Sequence, residues 1–120
     1  MDTKIIADAF TALCAKGKFN EAGQTYWSDD IVSCEAMAGD MAEIKGRTAV
    51  EAKGVTWHAS HDVHSVNVEG PYVHGHQFLV RFTMEVTPKG AESMKIDEMG
   101  LYSVLEGRIV EERFFFGSAK

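Results

Sequence analysis

The sequence is poor in cysteine and proline, with two of each among its 120 residues. Cys14 and Cys34 have neither metal-site nor redox spacing, which favours two buried thiols in a reducing cytoplasm, with a disulfide as the alternative. No apolar run approaches the roughly 20 residues of a membrane span. The segment from Met1 to Lys4 lacks a basic region followed by an apolar stretch, so no signal peptide is expected. These absences predict a cytoplasmic protein that does not interact with a membrane.

Positive charge is also scarce, because 12 Lys and Arg face 18 Asp and Glu and leave a net charge of −6. An acidic chain repels phosphate backbones, so no nucleic-acid partner is expected. Apolar residues make up 45% and charged residues 25%, which is typical of globular proteins and argues against intrinsic disorder. The length predicts one domain, residues 1–120.

The periodicity of apolar residues changes from helical to alternating along the chain. It predicts two helices that end at Gly17 and Trp27, and a third over 48–58. Strands are predicted over 31–37, 63–68, 76–87, 94–104 and 108–116, with turns at 38–40, 70–71, 88–90 and 106–107. This order favours an α+β fold, in which three N-terminal helices pack on a strongly curved antiparallel sheet and leave a half-open cone with a pocket.

Three stretches carry a family pattern: Tyr26–Glu35 with its Asp29-Asp30 pair, Gly70–Phe78, and the hairpin Tyr102–Val110. In order and spacing they resemble the nuclear transport factor 2-like superfamily, which includes ketosteroid isomerases and SnoaL-like polyketide cyclases. The resemblance spans nearly the whole chain and is closest to small bacterial SnoaL-like proteins. It implies a cone-shaped, cystatin-like α+β barrel with a deep pocket, often a homodimer through the outer face of the sheet.

The resemblance singles out Glu35 as a candidate general base. In ketosteroid isomerases the catalytic aspartate lies five residues after the second aspartate of the pair, and Glu35 has that offset from Asp30. The rest of that constellation is incomplete, because Phe10 falls near the isomerase tyrosine and Gly100 near its protonated aspartate. Steroid isomerisation is therefore not expected. The alternative for Glu35 is a surface or hydrogen-bonded strand carboxylate without a chemical role.

Strand parity indicates which other polar side chains enter the cone. Choosing the more apolar face of each late strand as the interior places Glu98, Tyr102 and Glu112 there, and the same reasoning brings in His64. Desolvation raises the pKa of a buried carboxyl, so we expect Glu98 to act as a proton donor or a second base. His64 is a candidate proton shuttle. For each of these residues, a hydrogen-bonded side chain without chemistry is the alternative.

Aromatic residues are expected to line the pocket or fill the core. They are Trp57, Phe78, Phe82, Phe114 and Phe116. A cone that stays open would suit a flat apolar ligand with one polar end. The five histidines lack convergent ligand spacing, so no metal is expected, and no sequence motif indicates a cofactor.

Two functions remain open from the sequence. The first is a cofactor-independent isomerase, cyclase or dehydratase that acts on a small hydrophobic carbonyl compound through Glu35, Glu98 and His64. The second is a binding module for a small apolar ligand; a filled interior that leaves only dimerisation is a weaker possibility. A homodimer is expected because four apolar residues would otherwise be exposed on the outer sheet face: Met99, Leu101, Ile109 and Phe115.

Overall fold

The computed structural model describes residues 2–36, 39 and 42–116, with the side chain of Phe116 excepted. Three helices are present in this part of the chain: α1 (Thr3–Ala15), α2 (Phe19–Tyr26) and α3 (Arg47–Ser60). The six strands are β1 (Trp27–Cys34), β2 (Glu43–Lys45), β3 (His61–His74), β4 (Gln77–Pro88), β5 (Met94–Leu105) and β6 (Arg108–Phe116). Most of the turn predicted at 38–40, and Met37 before it, lie outside the described residues.

Helix α1 begins at Thr3 and ends shortly before Gly17, the end that its sequence predicts. The Asp2 carboxylate accepts a hydrogen bond from the Lys4 amide at 3.1 Å and caps the first turn. Gly17 follows the helix with a φ of 77°, a conformation that glycine adopts without steric cost. The buried face, which includes Ile6 and Phe10, packs toward the sheet. None of the described helices is long and apolar enough to cross a membrane.

The six strands form one sheet in the order β2-β1-β6-β5-β4-β3. The predicted α+β class and the three helices are confirmed, and the sheet is not closed. It is mixed, because β1 pairs parallel to β6 while the other neighbours are antiparallel. Strand β2 has three residues, too few for alternation to be visible in the sequence.

Strand β3 is longer than predicted and contains two irregularities. Its pairing with β4 continues past the cis Gly70–Pro71 peptide to His74, so this dipeptide does not end the strand. One register shift lies between Val63 and Ser65, where the intervening His64 is an extra residue opposite β4. An inserted residue reverses strand parity, which matters for the placement of His64.

The outer face of the sheet is less apolar than predicted. Ile109 is fully buried in the core, because the β5–β6 pairing shifts register between Ser103 and Val104. Met99 and Leu101 are half-buried, and Phe115 is exposed. The homodimer therefore remains a prediction that depends on three of the four residues first considered for this face.

Candidate functional site

A cavity of about 380 Å³ lies between the helices and the inner face of the sheet. Most of its wall is apolar, with several aromatic rings from α1, α2, α3 and the late strands. Several polar or ionisable side chains interrupt this wall, among them Asn20, Glu35, Lys53, His58, Glu98, Tyr102 and Glu112. The volume is within the range of small-molecule sites, and the few polar groups could orient a ligand.

Seven of the ten residues singled out from the sequence line this cavity. They are Glu35, Glu98, Tyr102, Glu112, Trp57, Phe82 and Phe114. Phe78 instead belongs to the core, since its ring stacks on Tyr102 with centroids 4.9 Å apart and approaches Phe10 edge-on at 6.0 Å. The side chain of Phe116 lies outside the described part of the structure.

The placement predicted for His64 is wrong. This side chain is exposed, and its Nε2 lies 2.6 Å from the Thr87 hydroxyl, away from the cavity wall. The cause is the bulge between Val63 and Ser65, which breaks the alternation from which its orientation was inferred. His64 is accordingly no longer a candidate proton shuttle.

Glu112 is the most deeply buried of the cavity carboxyls. The Trp27 indole donates to Oε1 at 3.0 Å, and the Ser33 hydroxyl donates to Oε2 at 2.8 Å. Burial raises the pKa of Glu112, while these hydrogen bonds and the Lys53 charge act in the opposite direction. Both carboxyl oxygens therefore have partners, and Glu112 anchors β6 to β1.

The Trp27 ring reaches Glu112 by packing directly against α2. Gly23 makes this approach possible, because a Cβ at that position would lie 2.5 Å from two ring carbons. No side chain other than hydrogen fits there unless the indole moves. The indole donor is thus positioned by a glycine in the preceding helix.

Lys53 was not singled out from the sequence, and it has a central place in the site. Its Nζ donates to Glu35 Oε2 at 2.6 Å and to Ser33 Oγ at 2.7 Å. The side chains of Lys53 and Glu35 are 17% and 24% exposed, so the ion pair is partly shielded from solvent. The sequence did contain a signal, because Lys53 follows Val50 by three residues and shares the sheet-facing side of α3 with Trp57.

Glu98 differs from the other two carboxyls in having no side-chain hydrogen-bond partner within residues 2–36, 39 and 42–116. Burial raises its pKa to about 7, and the nearby negative charge of Glu35 contributes in the same direction. Lys53 opposes the shift. A carboxyl with this pKa can give or take a proton at neutral pH.

Tyr102 also lines the cavity, four residues after Glu98 in β5. Its ring folds over Gly100, where an added Cβ would lie 2.9 Å from the phenol oxygen. It also contacts Phe10, at a centroid distance of 4.8 Å. Burial holds the pKa of Tyr102 well above its usual value, so its hydroxyl stays protonated and can donate a hydrogen bond.

The remaining ionisable groups do not assemble a metal site in the described residues, where no three His, Cys, Asp or Glu side chains converge. His58 lines the cavity and stacks on Phe19 with ring centroids 5.8 Å apart. Burial lowers the pKa of His58. Cys14 and Cys34 are both free and buried, and burial raises the pKa of Cys14 to about 12. Cys14 is thus an unreactive part of the wall.

Comparisons with known proteins relate this arrangement to a family. The crystal structure of a candidate SnoaL-like polyketide cyclase from Mesorhizobium loti is 46% identical and superposes with a TM-score of 0.94, covering 97% of this chain and 100% of that one. No curated protein matches the sequence at a significant level.

More distant structures share the fold alone. A protein of unknown function with a cystatin-like fold from Xanthomonas campestris is 15% identical, with a TM-score of 0.79 over 98% of this chain and 92% of that one. A candidate isomerase from Bacillus subtilis is 14% identical, with a TM-score of 0.69 over 95% of this chain and 88% of that one.

The family profile of the SnoaL-like domain matches residues 1–116. The chain therefore belongs to the SnoaL-like family.

Proposed function

We propose that the protein is a cofactor-independent enzyme that moves a proton on a small hydrophobic carbonyl compound, as an isomerase, cyclase or dehydratase does. The support comes from the site, since two carboxyls with different surroundings face one apolar cavity. The similarity to a candidate polyketide cyclase from M. loti is consistent with this class of chemistry.

In this proposal Glu35 is the general base. The Lys53 ammonium lies 2.6 Å from Glu35 Oε2 and forms an ion pair with it. The position of Glu35 just after β1 places its carboxylate on the cavity wall. It would take the proton from the carbon next to the substrate carbonyl.

Glu98 is the general acid. Its raised pKa of about 7 lets Glu98 hold a proton at a pH where an ordinary carboxyl has lost it. The negative charge of Glu35 raises the pKa of Glu98, so the proposed base favours the protonated form of the proposed acid. Environments that separate the protonation states of two neighbouring carboxyls are the usual mark of an acid–base pair. The observation that carries the proposal is this difference between Glu35 and Glu98.

The experiment is deuterium exchange, because it requires only a substrate analogue and no knowledge of the natural product. Small hydrophobic ketones are incubated with the protein in D₂O, and NMR follows the loss of the protons next to the carbonyl. Glu35→Gln should slow the exchange by roughly a hundredfold or more, the usual worth of a positioned base. Glu111→Gln, on the outer face of β6, is the matched control and should leave the rate unchanged.

A binding module remains the second candidate, favoured by the apolar character of most of the wall. On that reading, ketones bind, wild type gives no exchange above the uncatalysed rate, and Glu35→Gln alters affinity only modestly. Exchange that proceeds equally in wild type and Glu35→Gln would remove Glu35 from the mechanism.

A further inference from the structure

We propose that Lys53 is a third catalytic residue, which donates a hydrogen bond to the substrate carbonyl oxygen and stabilises the negative charge that develops there. This inference rests on the proposed function, since it assigns the oxygen partner in the same proton transfer.

An ammonium group carries three N–H donors. Two of those on Lys53 are used within the described residues, one by Glu35 Oε2 and one by Ser33 Oγ. The third has no acceptor there. The Nζ lies 5.7 Å from the centroid of the Phe114 ring, and both residues line the cavity. The remaining donor is therefore available to a polar atom of a bound molecule.

The position of Nζ is fixed by a buried chain of hydrogen bonds. Ser33 accepts from Lys53 and donates to Glu112, which also accepts from the Trp27 indole. Ser33 is fully buried and Glu112 is 4% exposed, so the inner part of this chain is shielded from bulk water. Donors that are held in place before the reaction stabilise a developing charge without reorganising first.

The ion pair gives Lys53 a larger effect in the transition state than in the substrate complex. Before the reaction, the Glu35 carboxylate compensates the Lys53 charge at 2.6 Å. During the step the substrate C–H bond breaks, its proton passes to Glu35, and the electron pair moves to the carbonyl oxygen as an enolate. Glu35 becomes neutral at the moment when the enolate forms, so the full charge of Lys53 then acts on the oxygen. Only such differential stabilisation accelerates the chemical step.

The test uses naphthols and nitrophenols, whose ionised forms resemble an enolate and absorb at their own wavelength. They are bound to Glu35→Gln, in which position 35 is neutral, as Glu35 itself is after proton transfer. At fixed pH, the ratio of bound phenolate to bound phenol should be roughly tenfold or more higher in Glu35→Gln than in Glu35→Gln/Lys53→Met, because a charge-assisted hydrogen bond is lost. Glu35→Gln/Lys45→Met, which removes an exposed lysine instead, should match Glu35→Gln.

Equal ratios with and without Lys53, or no binding of any phenol, would overturn the role of Lys53. If the double variant does not fold, the ¹⁵N signal of the Lys53 ammonium in Glu35→Gln decides: a shift on adding naphthol supports the hydrogen bond, and no shift refutes it. Deuterium exchange in wild type tests the proposed function separately. Absence of exchange would refute the enzyme, and the phenolate ratio would still report whether Lys53 is an oxyanion donor.

Discussion

Asp97 and Glu98 are adjacent in β5 and differ in their burial, in their hydrogen-bond partners and in the direction of their pKa shifts. The Asp97 side chain points to the outer face, where the Arg81 guanidinium binds its two oxygens at 2.9 and 2.7 Å and lowers its pKa. Glu98 points into the cavity, where burial raises its pKa to about 7. The pKa values of two adjacent carboxyls are therefore shifted in opposite directions, because the two side chains lie on opposite faces of the sheet.

The same contrast recurs one strand away. Glu111 lies on the outer face of β6 and pairs with Arg113 at 3.2 Å, where the two side chains are 40% and 53% exposed. Glu112 is fully enclosed, with both oxygens accepting hydrogen bonds from β1 residues. Outer carboxyls have arginine partners that solvent screens, whereas inner carboxyls depend on the protein for their solvation. The two pairs of neighbours allow each expectation to be tested against a control in the same strand.

The largest effect is expected for Glu112→Ala. This change removes the acceptor for the Trp27 and Ser33 donors and leaves them buried, so we expect a loss of about 3 kcal/mol in the free energy of unfolding. Glu111→Ala should cost less than about 0.5 kcal/mol, because its ion pair is exposed. Urea denaturation measures both. Similar losses for the two variants would contradict the contrast between the faces.

The second prediction concerns pH. The folded protein binds a proton at Glu98 more tightly than the unfolded chain does, because its pKa rises from 4.5 to about 7 on folding. This contribution to stability is complete below pH 4.5 and is lost as the pH rises to about 7. In the wild type, the free energy of unfolding should therefore fall by roughly 2–3 kcal/mol from pH 4.5 to about pH 7 because of Glu98. In Glu98→Gln this part of the fall should be absent.

Asp97→Asn is the control with the opposite sign. The pKa of Asp97 is lowered by Arg81, so its contribution is present above the unfolded pKa and is lost as the pH falls through the folded value. Asp97→Asn should therefore weaken the pH dependence of the free energy of unfolding at acidic pH only. Thermal melts from pH 3 to pH 8 would show both changes, and a profile unaltered by Glu98→Gln would refute the raised pKa.

The smallest effects are expected at two glycines that line or support the cavity. Gly100→Ala places a Cβ 2.9 Å from Tyr102 and forces the ring to move, which should cost about 1–2 kcal/mol. Gly54→Ala meets only the Asn20 amide oxygen at 3.5 Å, an ordinary contact, and should stabilise α3 by about 0.5–1 kcal/mol. Equal melting temperatures for the two variants would show that Tyr102 is free to move.

Regular strands made much of the inner face predictable. In β5 the alternation holds from Met94 to Val104, and it correctly orients Glu98 and Tyr102 toward the cavity. In β6 it does the same for Glu112. The pairing of β4 with β5 has no register shift over its whole length. Every second residue of these strands therefore faces the same side of the sheet, as the alternation in the sequence predicts.

The sequence was a poor guide wherever the backbone departs from regularity. No distinctive residue in the sequence indicates the bulge at His64 or the register shift that buries Ile109. Lys53 was missed for a different reason, since a lysine on a helix is ordinarily solvated. Its two acceptors are Ser33 in β1 and Glu35 just after β1, 20 and 18 residues away. Such a pairing depends on tertiary structure that local periodicity does not encode.

The pairing of β1 with β6 also constrains how the molecule folds. The hydrogen bonds from Trp27 and Ser33 to Glu112 connect residues 85 and 79 positions apart. Closing such long loops costs chain entropy before any contact is gained, so we expect the docking of β6 on β1 to be a late and slow event. Until that event, the helices and the β3–β4–β5 meander lack one wall. A nascent chain would therefore lack the β6 wall of the cavity until β6 has left the ribosome.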